Sequence, residues 1–494
     1  MGLEIDREEF APEDYDLFSD RLDRCIAVLD RLIAQPGFGV GASSLGAELE
    51  VSLVDADSRP LPFNEKVLCE TLDERMTVEL NRFNLECNLL HTNLSGRPFT
   101  HLRKEIESAR DELARAAALH GGRIAMIGIL PTLVDSDLHS GAMTDAIRYR
   151  ALSRSLREKR DGPFHLNIGG EDPLELACED VTYEGAATSF QIHLRVEPSE
   201  FTRVFNAAQI ATSPVLAASG NSPTFVGHRL WEETRIALFK QAVDDRNDHQ
   251  KNARRQARVS FGSDWLEGGP IDLFRQALHD YPVLLPVIYD EDPEKAMSAG
   301  LVPSLKEIRL HQGTVWHWNR PVYDPHDDGH VRIELRGLPS GPTTQDMLAN
   351  AAFLIGLTLG IAPRIDEIRS GFDFASAHNN FYRAAQSGLD ALLEWPAALV
   401  GSKEAATLRT HIAALGEIAR EGLLAGGVDP VESDPLIDCI LERVARGQTG
   451  SVWQKQRLAA LGTNKPTHDA LSAMFEGYLS RSNTGEPVHR WGPT

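Results

Sequence analysis

The stretch Gly46-Ala-Glu-Leu-Glu-Val-Ser-Leu-Val54 alternates apolar and polar residues one by one. Successive side chains of a β-strand point to opposite faces, so Ala47, Leu49, Val51 and Leu53 share one face, and Glu48, Glu50 and Ser52 the other. Three further segments read the same way. Phe83, Leu85, Cys87 and Leu89 oppose Asn84, Glu86 and Asn88; Phe190, Ile192, Leu194 and Val196 oppose Ser189, Gln191, His193 and Arg195; Val331, Ile333 and Leu335 oppose Arg332, Glu334 and Arg336. Such strands belong to antiparallel sheets that pack one face on helices and turn the other to solvent. Here the polar positions hold Glu, Asn, Gln, His, Arg and Ser without one Lys or Thr, a composition suited to a site more than to a washed surface.

Helices surround these strands. Apolar residues recur at three- and four-residue steps from Tyr15 to Ile33, ended by Pro36 and Gly37, and from His101 to His120, ended by Gly121 and Gly122 before a strand-like run Arg123 to Leu130. The same spacing predicts helices over Arg203 to Ser219, Leu230 to Val243, Thr344 to Gly360 and Ala405 to Ala425. A chain of 494 residues has room for about three domains. No repeat or low-complexity linker divides it, so one catalytic unit is expected: a helical segment 1–45, a core 46–360, and a helical part 361–494 of the same domain. Asn483, Gly485, Pro487, Gly492 and Pro493 give its end the composition of a loosely held tail.

Lys plus Arg total 50 against 72 Asp plus Glu, a formal charge of −22. That balance argues against nucleic acid or an anionic membrane as partner, and leaves small molecules as the expected ligands. The most apolar run, Ala351 to Ala362, is shorter than the roughly 18 residues a span needs, and the acidic N-terminus is no secretory signal. Five cysteines without a CxxC pair fit free thiols in a reducing compartment, and the expected location is the cytoplasm. A homo-oligomer stays open.

Clustered carboxylates with an imidazole and amide oxygens suit a hard divalent cation, Mg²⁺ or Mn²⁺. Glu48, Glu50, Glu86 and Glu334 are the candidate carboxylate ligands and His193 a candidate nitrogen ligand; cysteine ligands are absent, which disfavours zinc. Arg332 and Arg336 have two readings, as ion pairs balancing the acids or as planar forks on phosphate or carboxylate oxygens. Neither a GxxxxGK[ST] nor a GxGxxG sequence is present, so any phosphates must be held by metals and arginines. The basic stretch Arg246 to Ser263 reads either as a lid or as a solvated helix or loop. Trp316-His-Trp318 with His311 and His326 reads as aromatic packing and loop histidines in preference to a second metal site.

In order and spacing these motifs resemble the glutamate-cysteine ligase family of plants and many bacteria, which includes bacterial carboxylate-amine ligases within the glutamine synthetase-like superfamily. The resemblance covers roughly Gly46 to Gly360. Gly46-Ala-Glu-Leu-Glu50 is similar to the family's GxExE strand, and Asn84-Leu-Glu-Cys-Asn88 to its second acidic strand. Thr188-Ser-Phe-Gln-Ile-His193 is similar to its Q-x-H strand, Asn221-Ser-Pro223 with Gly227 and Arg235 to its ANSP…G…SxR segment, and Arg332-Ile-Glu-Leu-Arg336 to its E-x-R strand. The family implies an α+β fold: a curved antiparallel sheet with helices on one face, and a funnel on the other holding ATP and more than one Mg²⁺. By position it implies Glu48, Glu50, Glu86, His193 and Glu334 as metal ligands, with Glu50, Glu334 and Arg336 at the chemistry. Glu48, Gln191, Arg332 and Arg336 fall near the nucleotide, and Asn88, Asn221 and Arg235 at the substrate, Arg235 on its α-carboxylate. Without the resemblance, Arg235 reads as a helix-surface arginine and Asn221 as a turn or cap residue. Two positions depart from the pattern: Glu233 stands where the family has Ser, and the turn before Glu86 lacks glycines. The implied reaction is ligation of the glutamate γ-carboxylate to the amine of cysteine through an acyl phosphate, a step of glutathione biosynthesis. Another acid or amine, a metal-dependent hydrolase, and a non-catalytic binding protein are the alternatives.

Overall fold

The four alternating segments form the centre of one seven-stranded antiparallel sheet in the computed structural model, which describes residues 3–462 and 465–492. The principal elements before the central helix are α1 (Pro12–Ile33), β1 (Ser44–Val54), β2 (Met76–Val78), β3 (Asn84–Asn93), α2 (Pro98–Ala118), β4 (Arg123–Ala125), α3 (Ile147–Arg160), β5 (Phe190–Arg195), α4 (Phe201–Ser219), α5 (Thr234–Ala242), α6 (Lys306–Gln312), β6 (Asn319–Asp324) and β7 (His330–Leu335). Then come α7 (Thr344–Ile361), α8 (Leu408–Ala425), α9 (Pro430–Arg446), α10 (Gly450–Ala460) and α11 (His468–Ser482). The strands lie in the order β6-β7-β5-β1-β3-β2, with β4 paired to the end of β1.

Register brings the polar residues together, because residues directly opposite on neighbouring strands share a face. Glu50 faces Glu86, and Glu48 faces Asn88 on one side and Gln191 on the other. Glu334 faces His193 and Arg320, and Arg332 faces Arg195. The β1–β3 register shifts between Leu45 and Ala47, a bulge at Gly46. On the reverse face Leu49, Val51, Phe190, Ile192 and Ile333 are fully buried, each contributing about 1.5–3 kcal/mol relative to exposure.

Helices α2 and α4 pack against that apolar face, α7 lies on both, and α8 and α9 cover α7. By length and composition Thr344–Arg369 is apolar enough to cross a membrane, but 78% of its apolar window is buried inside the protein. A helix apolar on every side is one surrounded by other elements. Glycines set its distance from α8: a Cβ at Gly422 would meet the Gly356 carbonyl oxygen at 2.1 Å and the Gly360 nitrogen at 2.5 Å.

Three expectations change. The run after Gly122 leaves the sheet at Ala125, and Gly128 donates instead to the Asn221 carbonyl. The helix expected from Leu230 begins at Thr234, because Leu230 donates to the Pro223 carbonyl. The terminal segment, expected to be loose, is anchored: Val488 donates to the Asp346 carboxylate, Gln448 to the carbonyls of Val488 and Trp491, and the Trp491 ring packs edge-on against Trp453 and Tyr478. Burial of Val488 and Trp491 outweighs the freedom their Gly- and Pro-rich neighbours suggest, although Pro493 lies outside the described residues.

Ala is the better helix former, by about 1 kcal/mol. Backbone, however, is what the new methyl strikes at Gly422, so Gly422→Ala should destabilise by about 1–3 kcal/mol. Urea unfolding checks this; an unchanged or higher midpoint would mean that α7 and α8 can separate freely.

Candidate active site

The polar sheet face is the floor of a trough of about 470 Å³. The β2 segment, α3, α6 and the 3₁₀ turn Val181–Ala186 form its walls. A second hollow of about 360 Å³ shares Glu48 and Asn88 with it and continues past His193 to Arg195, Arg332 and His330. Acid therefore collects toward β3, and imidazole and guanidinium toward β7.

Where the two hollows meet, ligand atoms of Glu48, His193 and Glu334 lie within 4.8 Å of one another. His193 Nε2 is 3.2 Å from Glu48 Oε1 and 3.8 Å from Glu334 Oε1. Glu334 accepts from Arg320 Nη2 at 3.1 Å and Arg336 Nη1 at 3.0 Å. Burial raises a carboxyl pKa, but these two guanidiniums hold Glu334 down at about 2. Glu48 is likewise held well below its ordinary range against the effect of burial, by His193 and Arg336 among its neighbours. Arg332 Nε donates to His193 Nδ1 at 2.9 Å, which leaves the imidazole proton on Nε2, facing the two acids. For Nε2 to bind a cation, that proton must leave and Arg332 must turn fully onto Asp324, which already accepts from its Nη1 at 2.6 Å.

The acid end behaves oppositely. Glu50 accepts from the Ser189 backbone and hydroxyl at 2.7 and 2.9 Å and from Gln191 at 3.0 Å, yet burial and the facing Glu86 push it up to about 7. Burial and Glu48 raise Glu86 to about 8, while Asn88 donates to its Oε1 at 3.0 Å. Glu79, just past β2, is pushed to about 7 by burial and by Glu50 and Glu184. Glu184, on the 3₁₀ turn, is pushed to about 8 by burial and Glu50. Carboxyls whose proton affinity is raised by burial and by one another are an oxygen-rich seat for a hard cation. Arg336 Nε, buried and without a hydrogen-bond acceptor among the described residues, offers a donor to an anionic group.

Glu48, Glu50, Glu86, Asn88, Gln191 and Arg336 line the trough, and His193 and Arg332 the adjoining hollow, with Glu334 beneath them. Two expected substrate residues do not reach it. Arg235 is buried and donates to Glu233 Oε1 at 3.2 Å and to the Gly337 carbonyl at 2.6 Å, so its guanidinium ties α5 to the end of β7. Asn221 is fully buried and donates to the Ser340 carbonyl and the Tyr478 hydroxyl, both at 2.8 Å. Glu233 accepts from the backbone of Asn221 and the hydroxyl of Ser222 as well as from Arg235, which accounts for an acid at that position. Of the basic stretch, Arg246 pairs with Asp244, and fully buried Arg258 with Asp245 at 2.7 Å, so these two charges are spent on neighbouring acids. Trp318 packs among Phe239 and Phe381, and burial lowers His311 and His317 to about 4. Sequence reasoning missed Glu79, Glu184 and Arg320. None of the three left a periodic signal; Arg320 is brought in by the pairing of β6 with β7, opposite Glu334.

The model of the glutamate-cysteine ligase family 2 matches residues 44–457. Among curated proteins nothing matches the sequence significantly. Of solved structures, the glutamate–cysteine ligase of Francisella tularensis in complex with AMP is similar at 12% identity and a TM-score of 0.56, over 91% of this chain and 90% of that one. A bifunctional glutathione synthetase from Pasteurella multocida gives 10% identity and a TM-score of 0.49, over 93% of this chain and 53% of that one. The second likeness is too distant to carry weight, while the first has the same curled antiparallel sheet. With its acidic sheet face and a family match running from β1 into α10, the chain belongs to the glutamate-cysteine ligase family 2, and so to the ATP-dependent carbon–nitrogen ligases.

Proposed function

We propose that this protein uses ATP and more than one Mg²⁺ (or Mn²⁺) to join the γ-carboxylate of glutamate to the amine of cysteine through an acyl phosphate, in the cytoplasm. The observation that carries this reading is Glu50 opposite Glu86 with Glu79 and Glu184 nearby, four desolvated carboxyls raised to about 7–8. Divalent cations, when bound, would offset the negative charge of the transferring group. Glu50, Glu79 and Glu86 are the ligands we assign to one cation, and Glu48 and Glu334, with His193 once deprotonated at Nε2, those of another.

The remaining work falls to the chain's own dipoles and charges. Arg336, braced by Gln191 and Glu334, faces the charge that develops as a phosphoryl group moves, and its unsatisfied Nε is the donor free to follow it. The substrate carboxylate attacks the terminal phosphorus of ATP and ADP leaves; the amine then attacks the acyl carbon and phosphate leaves. Glu184, on the wall of the trough, is the carboxylate we assign to accept the ammonium proton once its own proton has been lost to bound cations. Closure of Arg235 on Glu233 favours one variant of this reading, in which the acid or the amine differs from the family's usual pair, because the residue implied for the α-carboxylate is occupied.

Two measurements test these statements. ADP release with Mg²⁺ over a panel of carboxylates and amines should appear only when both partners are present, and no stimulation by any pair would end the ligase reading. Glu50→Gln and Glu334→Gln should each lower the rate by about 100-fold or more with folding retained.

The metal-free protein should also lose stability as pH rises from about 6.5 to 8.5. The four raised carboxyls hold protons when folded but ionise near 4.3 when unfolded, so the folded state binds more protons in that window. His311, His317 and His330, lowered to about 4, act in the opposite sense only below their unfolded pKa of about 6.5. Thermal melts should fall across the window, less steeply for Glu86→Gln, and Mg²⁺ should raise the wild-type melt more at pH 8.5 than at 6.5. A metal-free melt that is flat or rises would refute the assignment of these carboxyls.

A further inference from the structure

We propose that Asp346, Cys439 and His489 form a binding site for one Zn²⁺ ion, separate from the trough, which clips the terminal segment of the chain to α7 and α9. The three residues come from the first turn of α7, the middle of α9 and the 3₁₀ turn Val488–Arg490. All three are buried, and one ligand atom of each lies within 4.8 Å of the other two. Carboxylate, thiolate and imidazole together are the donor set of a borderline-soft ion, whereas the oxygen-rich trough suits a hard one.

The imidazole is already oriented for a metal. His489 Nε2 lies 3.1 Å from Glu442 Oε2, so that nitrogen carries the proton and Nδ1 keeps its lone pair. Nδ1 is 4.0 Å from Cys439 Sγ. A zinc ion at ordinary bond lengths sets a sulfur and a nitrogen ligand about 3.6 Å apart, a small closure from that distance. A carboxylate on the far nitrogen of a metal-bound histidine fixes the tautomer and makes the ring a stronger ligand. Glu442 holds that place and is itself braced by Arg490 Nη2 at 3.1 Å.

Asp346 has room for one more partner. A carboxylate offers about four acceptor positions. Three donors use them: the Thr343 hydroxyl at 2.7 Å, Arg443 Nη2 at 2.9 Å, and the Val488 backbone N–H at 3.0 and 3.3 Å from the two oxygens. Arg443 is a buried cation beside the site, so the incoming ion depends on negative charge gathered around it. Asp346 and Glu442 supply two such groups. Zn²⁺ creates the third by taking the place of the Cys439 thiol proton, which leaves to solvent. The Glu442 side chain is 45% exposed and that of His489 fully buried, which puts the site one side chain below the surface.

The test titrates metal-free protein with Co²⁺ in excess Mg²⁺, which competes for the oxygen ligands of the trough and leaves a thiolate site open. A thiolate bound to cobalt absorbs in the near ultraviolet. Wild type should develop that absorption with one Co²⁺ per chain and lose it when one Zn²⁺ is added. Cys439→Ser should abolish it, and His489→Gln and Glu442→Gln should each weaken Co²⁺ binding by about 10- to 100-fold. Cys69→Ser, which removes an exposed thiol elsewhere, should leave it unchanged. Zn²⁺ should also raise the thermal melt of wild type and not that of Cys439→Ser. No thiolate absorption in wild type, or one that survives Cys439→Ser, overturns the site. If Cys439→Ser does not fold, His489→Gln decides, and undiminished Co²⁺ affinity in that variant overturns the site as well.

Discussion

Glu50 and Glu86 stand directly opposite on β1 and β3, and the ladder of backbone hydrogen bonds between those strands does not let them part. Two unit charges about 5 Å apart at an effective dielectric near 20 repel by roughly 3 kcal/mol, so an ionised pair is a standing load on the fold. The protein bears it from behind. The reverse of the same strands is packed with fully buried Leu49, Val51 and Leu85 against helices that rest in turn on α7, and that apolar layer is what keeps the acids in place. The helices behind the sheet thus serve the site without touching it, while α3 and α6 wall it from the front.

The trough divides its charges unevenly. Glu334 has two arginines in contact and stays ionised, whereas Glu86, Glu79 and Glu184 have no arginine within ion-pair distance among the described residues, and burial raises their affinity for protons. One end is therefore already charge-balanced and rigid, and the other is responsive to whatever positive charge arrives. Arg235 marks the limit of reasoning by position alone: its place in the chain fits a substrate residue, while its buried partner Glu233 makes it a strut between α5 and β7.

How far the sequence could be read follows from periodicity. β1, β3, β5 and β7 obey a period of two because one face is apolar, so the pattern alone assigns Glu48, Glu50, Glu86, His193 and Glu334 to the side opposite the apolar residues. β6 was illegible because Pro321 breaks the pattern around Arg320, although Pro on an edge strand is unremarkable. Glu79 and Glu184 come from a strand end and a 3₁₀ turn, where spacing carries no facing information. The partners of Asn221, Ser340 and Tyr478, lie 119 and 257 residues away, and no local pattern encodes such a contact. The anchoring of Trp491 by Trp453 and Tyr478 is hidden for the same reason.

The strand order has a kinetic side. β1 pairs with β5 and β5 with β7, so Glu48 and Glu334 meet across 334 − 48 = 286 residues of chain. Loop-closure entropy makes such non-local pairing slow compared with the helices, and the trough floor is complete only after β7 has docked. A chain arrested earlier can contain most of its helices and one hairpin of carboxylates, yet lack the arginines that neutralise them and the imidazole that faces them. Ligand binding at this face is thereby a report on the whole topology, and any molecule that binds there would act on the folding equilibrium as a late-stage trap.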